Sequence, residues 1–215
     1  MIQISNSKDL KNEQNLWLKS YNLINENGKS ERHTTRSYNL WRSIVSRCRA
    51  GGLVQSKNPT YVGVTNNFAS YQIFTDWCQE QYGFWNRNPS NTFWHLDKDL
   101  LVQGNKIYSE NFCLFVPQEV NKLFNIKSNS RGVYPLGVSY QDNRFKAQCN
   151  VSNKPNYLGF YKTPNEAHRA WQRAKLEQMI IIRDKNYSET ISNCIQVRVN
   201  SLTQDIQSNR ETFKL

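Results

Sequence analysis

The chain has 215 residues, 38% of them hydrophobic and 13% aromatic, and carries 28 Lys+Arg against 17 Asp+Glu for a formal net charge of +11. That size and aromatic content suit one or two domains with cores of their own and argue against general disorder. No apolar run approaches the eighteen residues of a membrane helix and MIQISNSKDLKNEQ lacks the apolar centre of a signal peptide, so a soluble, cytoplasmic protein with no membrane partner is expected.

The charge is unevenly spread. Residues 1–60 carry +6, 61–124 carry −2, 125–186 carry +7 and 187–215 are neutral. Two basic stretches around a slightly acidic centre attract a polyanion, and inside a cell the usual polyanion is nucleic acid. The five cysteines (Cys48, Cys78, Cys113, Cys149, Cys194) form no CxxC or CxxH, which signals neither zinc nor a disulfide framework; each is expected as a buried apolar filler.

In chain order, residues 1–30 are polar and weakly patterned and read as a tail with one short helix around 16–23. In RSYNLWRSIVSRCRAGG, Leu40, Trp41, Ile44, Val45 and Cys48 recur at helical spacing before Gly51-Gly52, with Arg42 and Arg49 on other faces. A second helix is expected over about 68–82, with Tyr71, Phe74, Cys78 and Tyr82 on one stripe and Gly83 behind it. HLDKDLL then reads as a strand, GNK as a turn, CLFVP as a second strand and QEVNKLF as a helix start. His95, Asp97 and Asp99 share one side of the first strand by period two, an acidic cluster in a basic protein that suits either a bound metal or an exposed acid pair balancing Lys98 and Lys106.

NIKSNSRG is a Ser/Asn-rich linker. After it RFKAQCNV alternates cleanly: Phe145, Ala147, Cys149 and Val151 face one way, Arg144, Lys146, Gln148 and Asn150 the other. GVSYQ before it is a strand closed by a DN turn. NYLGFY after the SNKP turn is another, with Leu158 and Phe160 on one face. TPNEAHRAWQRAKLEQ opens with a capping box, Thr163 and Glu166 around Pro164, and continues in the stripe Ala167, Ala170, Trp171, Ala174. His168 is expected exposed on that helix, and His33 falls in no site. Residues 187–215 alternate weakly in CIQVRVN and suggest no function.

The run GVSYQ-DNRFKAQCNV-SNKPNYLGFYKTPNEAHRAWQRA resembles the Apetala2-type DNA-binding domain over roughly residues 131–182. The resemblance implies a three-stranded sheet laid in the major groove of DNA. Arg144, Lys146, Gln148 and Asn150 would then face the duplex, supported by Arg131, Lys154 and Tyr157.

Upstream, residues 36–124 resemble phage-borne HNH-type endonucleases, many of which carry such a domain. That resemblance implies a ββα unit holding one divalent metal, with Asp97 as the strand ligand, Asn111 orienting the base and Asn121 as the helix ligand. Lys98 stands where the family has its histidine, and a lysine at its reference pKa is a poor base. Three resolutions remain open: His95 as the base, Asp99 completing a carboxylate cluster, or a remnant that binds DNA without cutting. Arg42 and Arg49, with Arg36 and Arg47, are candidates for tracking phosphates beside this region.

The expected fold is therefore α+β: a polar tail (1–30), a helical, ββα-metal-like nuclease region (31–124), a linker (125–130), a three-stranded antiparallel sheet packed on one helix (131–186) and a C-terminal extension (187–215). The expected activity is phosphodiester hydrolysis in double-stranded DNA by a homing-type endonuclease using Mg²⁺ or Mn²⁺, without zinc. An inactive sequence-specific DNA-binding protein is the alternative, and either would act as monomer or homodimer.

Overall fold

The structure, a computed structural model, describes residues 18–124, 133–151 and 154–215, with backbone alone for Val151, Lys154 and Pro155. It is mixed helix and sheet, as an α+β reading requires, and divides into two compact units, Met1–Phe115 and Val116–Leu215. Arg131 and the linker lie outside the described residues. Among the described residues no helix is long and apolar enough to cross a membrane.

The first unit opens with an antiparallel hairpin, β1 (Ser20–Ile24) with β2 (Ser30–Thr34), where the sequence suggested a short helix. Turn chemistry decides this. Asn25 Oδ1 accepts from the N–H groups of Asn27 and Lys29, and Gly28 takes φ +73°, which glycine adopts without steric cost.

The hairpin leads into helix α1 (Arg36–Cys48), capped by Thr35, then the short α2 (Leu53–Lys57) and α3 (Tyr71–Glu80), capped by Ser70. Two helices at these places follow the apolar periodicity, although α3 is shorter than 68–82 because Gln81 leaves helical geometry. Trp41 of α1 and Phe74 and Trp77 of α3 meet in an aromatic core with Phe68, Phe84 and Phe115, with ring centroids 5.0–6.1 Å apart.

Arg36 belongs to this core. Its guanidinium lies 4.0 Å from the Phe93 ring centroid and 4.9 Å from that of Phe84, and Nη2 donates to the Trp94 carbonyl at 2.6 Å. Cation–π contact and a charge-assisted hydrogen bond offset its desolvation, so Arg36 is a structural residue and not a phosphate contact.

The strand-loop-strand-helix order appears as β4 (His95–Asp97), β5 (Ile107–Tyr108), β6 (Leu114–Val116) and helix α4 (Gln118–Leu123). β4 pairs with β6, while β5 runs parallel to β3 (Thr65–Asn66), a pairing that the sequence did not suggest.

In the second unit β7 (Val138–Gln141), β8 (Arg144–Val151) and β9 (Lys154–Tyr161) form an antiparallel sheet in that order. Asp142 and Asn143 both take positive φ (51° and 57°), the two-residue turn that fits strand twist and that Asp and Asn tolerate. Helix α5 (Pro164–Asp184) packs on one side of the sheet. Its capping box is formed, with Thr163 accepting from Glu166 N–H and the Glu166 carboxylate accepting from Thr163 N–H, worth about 1 kcal/mol. Leu136, Cys149 and Trp171 make the core between them, joined by Leu158, Ala174 and Leu215.

Residues 187–215 are no loose extension. They form helix α6 (Glu189–Gln207), which buries Ile191, Ile195, Val199 and Leu202 against α5, and a tail that docks beyond it. Gln172 Nε2 donates to Thr212 Oγ1 (2.8 Å) and the Arg210 carbonyl (3.0 Å). Thr212 N–H donates to His168 Nε2, which leaves the proton on Nδ1 to donate to the Leu136 carbonyl at 2.9 Å. His168 is thus 2% exposed, contrary to its expected place on the surface. It fastens the tail to the segment that leads into β7.

Glu119 of α4 fastens that helix to the α5–α6 corner by accepting from Lys185 and the Tyr187 hydroxyl. Burial opposes its ionisation, but those hydrogen bonds and the Lys185 charge outweigh it and hold the carboxyl below the usual range. Of the five cysteines, none in a disulfide, Cys78, Cys113 and Cys149 are buried; Cys48 and Cys194 are only half-buried, near helix surfaces.

Candidate nucleic-acid interface and nuclease-like loop

The side of the sheet opposite α5 is read from its register. Arg144 lies across from Gln141, Lys146 across from Ser139 and Phe160, and Gln148 across from Tyr157. Ala147 and Cys149 are buried beneath, while Arg144, Asn150 and Tyr157 are exposed, as the alternation anticipated. The order breaks in β9. Ala147 pairs with Gly159 and Gln148 with Tyr157, so Leu158 is an extra residue, a β-bulge.

The bulge has two effects. Leu158 packs against the core of Leu136, Cys149 and Trp171, and Tyr157 comes out beside Gln148. Without the extra residue Leu158 would sit across from Gln148. Leu158 and Phe160 therefore do not share a face as simple alternation implies, because Gly159, at φ +129°, allows the backbone a turn that side-chain-bearing residues resist.

Phe160 emerges as a member of this surface that alternation hid. The Arg144 guanidinium stacks 4.5 Å from its ring centroid, and Lys146 Nζ lies 5.9 Å from that of Tyr157. Rings under cations hold them in place, at about 0.5–1 kcal/mol each for exposed pairs. The Lys154 side chain lies outside the described residues.

In the first unit His95 and Asp97 are half-buried while Leu96 and Lys98 are buried, as alternation in β4 requires. Asp97 Oδ1 accepts from the N–H groups of Asp99 (2.8 Å) and Leu100 (2.7 Å). Burial pushes the Asp97 carboxyl up and prevails over those two donors, with the Asp99 charge adding to the rise.

Lys98 points inward. It is 6% exposed, and its ammonium donates to Asp99 Oδ1 and to the Asn105 carbonyl, both at 2.6 Å. Asn105 in turn donates to the carbonyls of Lys98 (2.8 Å) and Ile107 (2.7 Å). DKD…GN is thus a loop clasp with a resident cation. Among the described residues no three His, Cys, Asp or Glu side chains come together to hold a metal, and Asp99 is turned to Lys98. Asp97 is engaged by two backbone N–H groups and Asp99 by the Lys98 ammonium.

No family model, curated protein or solved structure matches this chain. Its chemistry is therefore read from its own residues.

Of the remaining candidates, Asn111 is exposed in the turn where Phe112 and Cys113 N–H groups return to the Ser109 carbonyl. Asn121 is half-buried on α4 and belongs to the second unit, whereas Asp97 and Asn111 belong to the first. Arg42 and Arg49 are exposed on and just beyond α1. Arg47 is not so placed: it donates to the Tyr108 hydroxyl at 2.8 Å and stacks on Tyr61.

Lys98→Met keeps the length of the side chain but removes the donor to the part-buried Asn105 carbonyl. Since Asp99 is 53% exposed and regains water, the expected loss is only about 2 kcal/mol, set by that carbonyl. Urea unfolding measures it; an unshifted midpoint would show that the clasp contributes nothing.

Proposed function

We propose that this chain binds duplex DNA selectively through the outer face of the sheet β7-β8-β9. One observation carries the reading: a sheet covered by α5 on one side presents Arg144, Lys146, Gln148, Asn150 and Tyr157 on the other, in the part of the chain with a net charge of +7. An exposed sheet face made of cations, amides and an aromatic ring has the donors, acceptors and charge that a major groove selects, and strands fit a groove about 12 Å wide. Arg42 and Arg49 add cationic surface in the first unit.

A second reading, a metal-dependent homing-type endonuclease, is favoured by the alternation in β4, which leaves His95 and Asp97 half-exposed on the same side. Under it Asp97 would hold Mg²⁺ or Mn²⁺ near the scissile phosphate and His95 would take the proton from water. The inward Lys98 and its hold on Asp99 weigh against it. Binding without cleavage is the conclusion that the geometry supports better.

Supercoiled plasmid containing the gene's own flanking sequence, incubated with the purified chain in Mg²⁺, Mn²⁺ or EDTA, tests both. The expected result is a retarded band, intact plasmid and no effect of Asp97→Ala. Metal-dependent nicking that Asp97→Ala abolishes would establish the endonuclease instead. Absence of any retarded band at low salt would overturn the DNA-binding reading.

A further inference from the structure

We infer that the sheet face divides its work by residue type: Gln148 and Asn150 read two A·T pairs separated by a single base pair, while Arg144 and Lys146 grip phosphates. The inference rests on the DNA-binding reading above and adds the sequence being sought.

Three observations lead to it. The cations are already engaged by rings, Arg144 by Phe160 and Lys146 by Tyr157, so a guanidinium and an ammonium are held near the sheet. A cation fixed in this way is suited to the regular, sequence-independent phosphate row. The two amides differ. Among the described residues neither the Gln148 nor the Asn150 side chain has a hydrogen-bond partner; the one bond at Asn150 from another side chain, Gln178 Nε2 at 3.0 Å, goes to its backbone carbonyl.

A carboxamide offers one acceptor and two donors side by side, and on the major-groove edge adenine alone pairs an acceptor (N7) with a donor (N6) in the matching order. Spacing sets the register. Residues i and i+2 of a strand are about 6.7 Å apart, and two base-pair steps of about 3.4 Å cover the same distance. A strand running along the groove therefore reads every second pair. Tyr157, brought out by the bulge beside Gln148 and 54% exposed, offers an apolar ring to the thymine methyl of the first pair.

Selection of bound duplexes from a random pool by the full-length chain tests this. The expected consensus contains two A·T pairs with one unspecified pair between them. Gln148→Ala and Asn150→Ala should each erase the preference at one of the two positions, on the order of 10-fold in discrimination, with the salt dependence of binding unchanged. Arg144→Ala should leave the consensus intact and make the salt dependence shallower.

A consensus that both amide variants leave unaltered, or one without the spaced A·T pairs, would overturn the inference while leaving DNA binding in place. Failure of the wild-type chain to retain any duplex at low salt would instead remove the reading beneath it. All these substitutions are at surface positions of the sheet, and unchanged circular-dichroism melting of each variant ties its outcome to recognition.

Discussion

Gly137→Ala is expected to destabilise the C-terminal unit by about 2–5 kcal/mol. Gly137 sits at φ +77°, and a Cβ built there would lie 2.0 Å from Trp171 Cδ1 and 2.2 Å from Cγ. A left-handed conformation costs a side-chain-bearing residue about 1–2 kcal/mol, and forcing volume into a packed core costs about 1–3 kcal/mol more. Trp171 has little room to yield. Its ring stacks on His168, itself held between the Leu136 carbonyl and Thr212 N–H, and it closes the core with Leu136 and Cys149. Since a domain's whole stability is about 5–15 kcal/mol, the variant should lose a large share of its margin and melt at a clearly lower temperature. Urea titration followed by circular dichroism measures it, and a shift below about 1 kcal/mol would mean that the chain and Trp171 do not approach so closely.

The other large effect is on binding. Arg144→Ala with Lys146→Ala removes both ring-backed cations from the sheet face while leaving Gln148 and Asn150 in place. If each cation neutralises one phosphate, the slope of log affinity against log salt should become shallower by about 1.8, and affinity near physiological salt should fall on the order of 100-fold. Removing two equal charges elsewhere, Lys29→Ala with Arg32→Ala on the exposed N-terminal hairpin, should have a much smaller effect. Fluorescence anisotropy over a salt series distinguishes the pairs. Equal losses from both would mean that net charge, and not the sheet face, governs association.

Local signals were legible where a side chain's fate depends on its near neighbours. The alternation of RFKAQCNV, the DN turn and the Thr163–Glu166 box each lie within a few residues, and each stands in the structure as the chain implies. A local signal was also missed. Ile191, Ile195, Val199 and Leu202 recur at i, i+4, i+8 and i+11, a helical stripe masked by the strand-like alternation of CIQVRVN between them.

What the sequence determined by itself is the presence of a basic, amide-bearing strand backed by a capped amphipathic helix, together with an overall charge suited to a polyanion. Pairing and burial decided the rest. The bulge at Leu158 exists only because β9 pairs with β8 out of simple register, and it is what places Tyr157 outside. Arg36 and Lys98 belong to a residue class that is almost always at the surface. Only the rings around one, and the Asn105 carbonyl and Asp99 carboxylate around the other, make burial tolerable. The partners of Arg36 come from some fifty residues on, while those of Lys98 lie in its own loop. Charge is a property of the residue, but its desolvation energy is a property of its surroundings, and only the tertiary structure supplies the surroundings.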